Sequence, residues 1–224
     1  MQPVNAESLP LALPAFRKAG YVWKVVAAAE RVLAGALLIV VSPLLLPAAL
    51  ILAISSRRSP LVAHRRVGQD GRPIWVLKLR TMRGGPGNKG PLFLERLSVL
   101  DHEIQGHKAA ADPRVTGWFA QLCRRYSIDE LPQLWQVVLG DMALVAPRPL
   151  TRYELETYYG ADAGKLVARK PGLSGLWQIS GRSRLTYSQR RRLDLFLIRK
   201  WSLSLYFRIL ILTLPRVLTG KDAW

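Results

Sequence analysis

The sequence has few of the side chains that build disulfides and transition-metal centres. Cys123 is the only cysteine in 224 residues, so no intrachain disulfide can form. Such cysteine usage is typical of a reducing compartment. The only histidines are His64, His102 and His107. A dedicated zinc site is therefore not expected, whereas a hard cation held by carboxylates and phosphates stays open.

Acidic residues are also scarce. Fifteen Asp and Glu stand against 33 Lys and Arg, which gives a formal net charge of +18. This surplus favours anionic partners, namely nucleic acid, acidic lipid headgroups or phosphorylated substrates, without choosing among them. The length suits one domain with a substantial core and a short appendage.

Charged residues are absent from one long stretch, VLAGALLIVVSPLLLPAALILAISS, which runs from Val32 to Ser56. About 20 apolar residues are enough to cross a bilayer as a helix. Ser42-Pro43 and Pro47 interrupt its centre, and each proline removes a backbone donor. Ser42 can donate to a carbonyl that the break leaves free. Residues 1–16 lack the basic region of a secretory signal, and the apolar run begins too late for one.

Both flanks of this run are basic, and basic flanks prefer the cytoplasm. They contain Arg17, Lys18, Lys24 and Arg31 before the run and Arg57, Arg58, Arg65 and Arg66 after it. If both ends obey this preference, the segment enters the membrane and returns. We therefore expect a re-entrant helix–break–helix hairpin over residues 22–58. A single membrane span is the main alternative, and a buried soluble helix is disfavoured because the run is apolar all round.

A second apolar stretch, WSLSLYFRILILTLPRVL, covers residues 201–218. Its interspersed aromatic and basic residues suit a helix that lies in the headgroup region. A core helix of the globular domain is the alternative. The basic runs Arg182–Arg184 and Arg190–Arg192 are typical of solvated faces, which would attract anionic lipid beside a membrane.

The segment RRVGQDGRPIWVLKLRTM, residues 65–82, predicts a β-hairpin. Asp70-Gly71 forms the turn, and Ile74 begins the return strand. Residues 83–111 open with RGGPGNKG, a loop by composition, continue with a short apolar-periodic stretch, and suggest no chemistry.

Two adjacent carboxylates, Asp129 and Glu130, stand out in so basic a chain. One explanation is structural, because Ser127 to Glu130 fits the S-x-x-E capping box that starts a helix. Pro132 would then lie in the second turn, where it is poorly tolerated, so a start nearer Asp129 fits better. Either way a helix N-terminus lies close by, and such an end attracts phosphate. Capping and catalysis both stay open on the residues alone.

Two further blocks suit phosphate binding. Pro147 and Pro149 fix the backbone on both sides of Arg148, which suits a guanidinium that binds a phosphate in a bidentate manner. A rigid loop with a solvent-facing arginine is equally compatible. In KPGLSGLWQISGRS, residues 170–183, Trp177 offers a stacking face or simple packing, and Arg182 is another candidate phosphate ligand.

Together these blocks resemble the bacterial sugar transferase family, the small monotopic polyprenyl-phosphate phosphoglycosyl transferases. The resemblance runs from about Lys24 to Val217, and the order and spacing of its blocks are highly specific. The blocks are the apolar run with Ser42-Pro43, RRVGQDG, KLRTM, DPRVT, SIDELPQLWQVVLGDMALVAPRPL, KPGLSGLWQISGR and RLDLFLIRKWSL. GLWQISGR is most similar to members that start exopolysaccharide repeat units with glucose or galactose.

The resemblance implies an enzyme that moves a hexose 1-phosphate from a UDP-sugar to undecaprenyl phosphate and releases UMP. Asp129 would be the nucleophile of a covalent aspartyl-phosphosugar intermediate, and Glu130 would help to hold a Mg²⁺ cofactor. Neighbouring arginines favour the ionised form of Asp129. The residues expected to bind phosphate or nucleotide are Arg124, Arg148 and Arg182, with Lys78 and Arg80 as further electrostatic contacts.

The chain departs from the family pattern in three places. Ala146 stands where glycine usually precedes Pro147, which predicts a slightly different loop. Tyr206 replaces a usual aspartate, which leaves a polar role there in doubt. Residues 83–111 match poorly.

The expected fold is α/β and mostly helical. An N-terminal tail (1–21) and the re-entrant membrane hairpin (22–58) precede a single cytoplasmic, membrane-associated catalytic domain (59–224) with interfacial amphipathic helices. The expected location is the cytoplasmic face of the bacterial inner membrane, and the expected partners are the UDP-sugar, undecaprenyl phosphate and membrane lipids. A homo-oligomer stays open, and the transferred sugar is not specified.

Two other functional classes compete with the enzyme. A non-enzymatic scaffold of a polysaccharide assembly complex would not need the intact Asp129-Glu130, Pro-Arg-Pro and Gly-Arg blocks. A membrane-tethered nucleic-acid-binding protein would need a recognisable binding module, and the sequence has none, so no nucleic-acid partner is expected.

Overall fold

The computed structural model describes residues 21–82, 94–97, 115 and 117–220. His102, His107 and most of the DPRVT block lie outside these residues. The helices are α1 (Tyr21–Ser56), α2 (Trp118–Arg125), α3 (Leu134–Leu139), α4 (Arg152–Glu154), α5 (Ala163–Val167), α6 (Leu176–Ser180), α7 (Tyr187–Arg199) and α8 (Leu203–Thr219). The strands are β1 (Leu61–Val67), β2 (Pro73–Leu79), β3 (Leu94–Leu97), β4 (Ala143–Val145) and β5 (Gly172–Ser174). Helix predominates, as the sequence predicts, and the elements form one domain.

Helix α1 is continuous over 36 residues and passes through both Pro43 and Pro47. Because Pro43 has no N–H, the carbonyl of Ile39 loses its usual helical partner. The hydroxyl of Ser42 donates to that carbonyl at 2.7 Å, so the predicted rescue is confirmed. The predicted break between two helices is not confirmed, since the backbone stays helical through the prolines.

One buried carboxylate connects α1 to the domain. Glu30 accepts a hydrogen bond from the backbone N–H of Leu144 in β4, at 2.9 Å. It also accepts one from the hydroxyl of Tyr206 in α8, at 3.0 Å. The doubt about a polar role at Tyr206 is thereby resolved, because this tyrosine bonds a buried acid. On the other side of α1, Val32 and Ile39 are exposed.

The predicted β-hairpin is confirmed. Strands β1 and β2 pair antiparallel, with Leu61 opposite Leu79 and Val67 opposite Pro73, so β1 begins four residues before the predicted start at 65. Asp70 and Gly71 take left-handed φ values of 56° and 76°, which tight hairpin turns require. Strand β3 pairs with β1 in parallel on the other side, within a stretch where the sequence predicts no strand.

A second, two-stranded sheet supports the Pro-Arg-Pro loop. Strands β4 and β5 are parallel, and the N–H of Ala146 donates to the carbonyl of Ser174 at 2.9 Å. A Cβ on Gly172 would lie 2.2 Å from the nitrogen of Ala146, and one on Gly175 would lie 2.7 Å from its oxygen. Because neither glycine has a Cβ, the backbone at Gly172 and Gly175 can lie this close to Ala146, the residue before Pro147.

The C-terminal helix α8 has two different faces. Tyr206 and Ile209 are buried in the main core, which also contains residues of α1, α3, β2 and β4. The opposite face exposes further large apolar side chains: Leu203, Phe207, Ile211, Leu214 and Leu218. The interpretation as a core helix is thus confirmed for one face of α8, and a position of the other face in the headgroup region stays a prediction.

Candidate active site

The turn that carries the two adjacent carboxylates is a 3₁₀-helix, Ile128–Gln133, and the α-helical turns of α3 begin only after Pro132. Ser127 precedes it with a left-handed φ of 56° and makes no side-chain cap. The capping box, one of the two explanations that the sequence leaves open, is therefore not formed. The hydroxyl of Ser127 instead accepts a hydrogen bond from the guanidinium of Arg182, 55 residues later in the chain.

Asp129 and Glu130 lie in different environments. Asp129 is only 8% exposed. The Glu130 side chain is 35% exposed, and its Oε1 lies 2.6 Å from Nζ of Lys78 in β2. One carboxylate is thus enclosed, and the other is accessible and paired with a cation.

The nearest thiol is not a competing nucleophile. Cys123 is fully buried, and burial raises the pKa of its thiol to about 11, with a further contribution from the charge of Asp129. The thiol therefore stays protonated at neutral pH, and the thiolate is the reactive form of cysteine. Asp129 remains the candidate nucleophile of this turn.

His64 marks the point where several cations converge. In the hairpin, Val62 lies opposite Lys78 and His64 lies opposite Val76, so His64 shares a face of the sheet with Lys78. Burial lowers the pKa of His64 to about 3, and the positive charges of four residues lower it further. These residues, the cationic cluster, are Arg66, Lys78, Arg80 and Arg148. The imidazole is therefore neutral at pH 7, in surroundings that favour anions.

Arg80 belongs to the cluster by charge but lies in the interior. It is 2% exposed, and its Nε donates to the carbonyl of Ser59 at 2.7 Å. Its backbone N–H donates to the carbonyl of Pro60 at 2.8 Å. Arg80 thus holds the connection between α1 and β1, and its contact with a substrate stays a prediction.

Arg148 and Arg190 lie against one tryptophan. The guanidinium carbon of Arg148 lies 5.7 Å from the ring centroid of Trp177, and that of Arg190 lies 4.8 Å from it. Trp177 is buried, and its ring face is occupied by the cation–π contacts with these two arginines. Of the two uses that the sequence allows for Trp177, the structure favours packing.

The other predicted arginines flank the carboxylate turn. Arg182 follows Gly181, itself takes a left-handed φ of 47°, and reaches Ser127. Arg124 lies in the last turn of α2, where its carbonyl accepts from the N–H of Ser127 at 3.2 Å. Lys78 and Glu130 form an ion pair. The charges of Lys78 and Arg148 both lower the pKa of His64, which places Arg148 in the cationic cluster with Lys78.

A Mg²⁺ ion fits the donor set of this turn. Within the described residues no group of three or more His, Cys, Asp or Glu could hold a metal by itself. Mg²⁺ does not require one, because it commonly takes one or two carboxylates and completes its shell with water and substrate phosphates. The accessible carboxylate of Glu130 beside Asp129 meets that description.

Sequence reasoning missed His64, Arg66 and Arg190 as site residues. The alternation of β1 offered a signal for the first two, because residues two apart share a strand face and this face also carries Lys78. Arg190 lies within a basic run that the sequence assigns to a solvated face, whereas in the structure it is half-buried on Trp177. Its neighbour Arg191 forms an ion pair with Asp162 at 2.7 Å.

Comparison with known proteins gives a consistent picture. Residues 22–220 match the family model described as bacterial sugar transferase. The chain is 40% identical over 196 residues to the UDP-galactose-lipid carrier transferase of Erwinia amylovora. It is 36% identical over 188 residues to the exopolysaccharide production protein ExoY of Sinorhizobium fredii. It is also 36% identical over 191 residues to the UDP-glucose:undecaprenyl-phosphate glucose-1-phosphate transferase of Caulobacter vibrioides.

The relatives differ in length. The alignment covers 86% of this chain but only 40% of the Erwinia protein. For ExoY it covers 84% of this chain and 82% of that protein. For the Caulobacter protein the two shares are 82% and 66%.

Proposed function

This chain belongs to the bacterial sugar transferase family, and from that premise we propose that it transfers a hexose 1-phosphate from a UDP-sugar to undecaprenyl phosphate. The observation that carries the proposal is the enclosed carboxylate of Asp129 beside the Lys78–Glu130 ion pair. Both substrates are anionic, and the cationic cluster around His64 suits them. The names of the Erwinia and Caulobacter relatives favour galactose or glucose as the sugar.

The first step forms a covalent intermediate on Asp129. A carboxylate oxygen of Asp129 attacks the phosphorus that bears the sugar, a new P–O bond forms, and the P–O bond to UMP breaks. UMP leaves with the bonding electron pair. Lys78 and Arg148 bind phosphate oxygens and stabilise the charge that develops on them. Arg182 holds Ser127, two residues before Asp129, and so fixes the turn.

The second step returns the enzyme to its starting state. A phosphate oxygen of undecaprenyl phosphate attacks the same phosphorus, and the bond to Asp129 breaks. The products are the lipid-linked sugar and a free carboxylate. In the first step Glu130 would hold a Mg²⁺ ion, which would neutralise the charge that develops on the departing UMP.

The exposed apolar surface supports a membrane location. Among the described residues, α1 alone has the length and composition to cross a membrane. Trp118 of α2 is 75% exposed, and Leu139 of α3 and Phe207 of α8 are also exposed. Exposed tryptophan and leucine beside arginines suit the headgroup region. The active site then lies where a lipid phosphate presents itself, at the cytoplasmic face of the inner membrane.

Contacts of both halves of α1 with the domain support a re-entrant placement. Ala34, in its first half, packs into the main core, and Ala48 and Leu52, in its second half, pack against Leu79 and Cys123. Because both halves lie on the same domain, both ends belong on one side of the membrane. Single cysteines at Lys24 and Arg58, in a Cys123→Ala chain, test this placement. An impermeant maleimide should label neither in intact spheroplasts and both after lysis, whereas labelling of one site alone before lysis would establish a span.

The catalytic proposal is tested by UMP release from the purified full chain in detergent. The assay contains undecaprenyl phosphate, Mg²⁺ and a panel of UDP-sugars. We expect turnover with one hexose donor, which is lost in Asp129→Asn and on adding a chelator. Asp162→Asn is the matched control, because Asp162 pairs with Lys165 and Arg191 away from this turn. No UMP from any donor would favour the scaffold, and full activity in Asp129→Asn would remove the nucleophile.

A further inference from the structure

A second buried acid lies behind the Pro-Arg-Pro loop. Asp194 of α7 is 1% exposed, and its Oδ2 accepts a hydrogen bond from the hydroxyl of Tyr159 at 2.6 Å. Its Oδ1 is also buried and has no hydrogen-bond partner within the described residues. A buried carboxylate oxygen without a donor is costly, so its presence here calls for a reason beyond packing.

Two arginines influence this acid through their charge. Arg190 lies one helical turn before Asp194, and Arg148 approaches from the Pro-Arg-Pro loop, both with their guanidinium groups against Trp177. Their positive charges act on Asp194 through space, although neither forms a direct ion pair with it in the described part of the chain. Nε of Arg190 is likewise buried without a hydrogen-bond partner there. The acid and the two arginines thus form an incompletely satisfied polar unit.

Within the described residues, Tyr159, Glu154 and Tyr187 are the other titratable groups that act on this unit. Tyr159 comes from the turn Leu155–Tyr159, which packs on α7. The ring centroid of Tyr187 lies 5.2 Å from the guanidinium carbon of Arg190, and the charge of Glu154 also acts on Arg190. Burial raises the pKa of Asp194 to about 7, against a smaller lowering by the Tyr159 hydrogen bond and the two arginines. His64, the histidine near Arg148, has its pKa lowered to about 3 and does not titrate in the same range.

We propose that Asp194 is the internal counter-anion of Arg148 and Arg190, which it positions on Trp177, and that it takes up one proton when a donor phosphate binds these arginines. The inference rests on the proposed function, because it requires Arg148 to bind the phosphates of a UDP-sugar. Before binding, the ionised Asp194 balances the arginines. After binding, the phosphate supplies that negative charge, and a proton from solvent neutralises a carboxyl oxygen of Asp194.

The sign of the pH dependence follows from this exchange. Below the pKa of Asp194 the acid is already neutral, and donor binding needs no further proton. Above that pKa each binding event must take up a proton, so the affinity falls as the pH rises. The limiting slope is about tenfold in Kd per pH unit. A UDP-sugar is a suitable probe because its diphosphate has no group that titrates near neutral pH.

The test measures binding of the UDP-sugar by calorimetry between pH 6 and 8, in the Asp129→Asn background, where no turnover occurs. We expect Kd to rise by roughly tenfold across this range, and buffers of different ionisation enthalpy should report the uptake of about half a proton near the midpoint. Asp129→Asn/Asp194→Asn should bind with a Kd that changes less than about twofold over the same range. Asp162→Asn in the same background should keep the pH dependence.

A second variant keeps the test decisive if Asp194→Asn fails to fold. The Tyr159 hydrogen bond lowers the pKa of Asp194, so Tyr159→Phe should move the inflection in Kd to higher pH. A merely structural role would weaken binding equally at every pH and leave the inflection in place.

The contrary outcomes are distinct. A Kd in the parent that does not vary with pH, or an unchanged inflection in both Asp194→Asn and Tyr159→Phe, would overturn the role of Asp194 while leaving the enzyme intact. If no UDP-sugar binds at any pH and no UMP is released, the proposed function itself fails.

Discussion

Nζ of Lys78 lies 2.6 Å from Oε1 of Glu130, although 52 residues separate them in the chain. The pair joins the β1–β2 hairpin to the turn that carries Asp129. It also places a fixed positive charge against the carboxylate that we propose as the Mg²⁺ ligand. Lys78 therefore has two opposed effects, since it attracts phosphate and competes with the metal for Glu130.

Substitution of Lys78 by Met separates these effects. Removal of the ammonium should lower the Mg²⁺ concentration for half-maximal activity by roughly three- to tenfold, because a cation no longer opposes the metal at Glu130. It should also raise KM for the UDP-sugar, because one phosphate contact is lost. Magnesium and donor titrations of UMP release measure both changes.

Lys165→Met is the control for this substitution, since Lys165 forms an exposed ion pair of the same 2.6 Å length with Asp162. It should change neither titration. A half-maximal Mg²⁺ concentration that is unchanged or higher in Lys78→Met would contradict the assignment of Glu130 as a metal ligand.

The Ser42 hydroxyl should matter only while Pro43 is present. Ser42→Ala removes the donor for the Ile39 carbonyl and should lower the free energy of unfolding by about 1 kcal/mol. In a Pro43→Ala chain a backbone N–H is restored, so the same substitution should cost only a few tenths of a kcal/mol. Thermal unfolding of the four chains of this double-mutant cycle in detergent measures the coupling. Equal costs in both backgrounds would show that the hydrogen bond does not compensate for the proline.

Glu30 should contribute to stability more than Tyr206 does. Tyr206→Phe removes one hydrogen bond and should cost about 1 kcal/mol. Glu30→Ala leaves both the Leu144 N–H and the Tyr206 hydroxyl without their acceptor, and should cost roughly 2–4 kcal/mol. Glu30→Gln keeps an acceptor oxygen and should lie between the two. Thermal unfolding in detergent again checks the order, and a Glu30→Ala chain as stable as Tyr206→Phe would exclude a connecting role for this acid.

The features that the sequence predicts correctly depend on neighbouring residues. The Asp70-Gly71 turn determines the hairpin because the left-handed conformations it needs are a property of those two residues. The Ser42 hydrogen bond is equally local, since its acceptor lies three residues away. The predicted helix break is not confirmed, because α1 stays helical through Pro43 and Pro47 although each proline removes a backbone donor.

The features that the sequence misses depend on distant partners. Ser127 and Glu130 have the spacing of a capping box, but their partners are Arg182 and Lys78, from other parts of the chain. The alternation of β1 places His64 on the face that carries Lys78, but the whole cluster around it cannot be read locally, because Arg148 comes from the distant Pro-Arg-Pro loop. The role proposed for Asp194 also depends on distant residues, namely Tyr159 and Arg148.

The covalent intermediate on Asp129 is the central claim, and intact-protein mass spectrometry tests it most directly. The full chain in detergent is incubated with Mg²⁺ and the UDP-hexose that supports turnover, without undecaprenyl phosphate, and is then quenched in acid. We predict a mass increase of one hexose phosphoryl group, located to the peptide that contains Asp129, absent from Asp129→Asn and discharged when undecaprenyl phosphate is added. UMP release that requires both substrates, with no adduct on the wild-type chain, would contradict the account and indicate direct transfer.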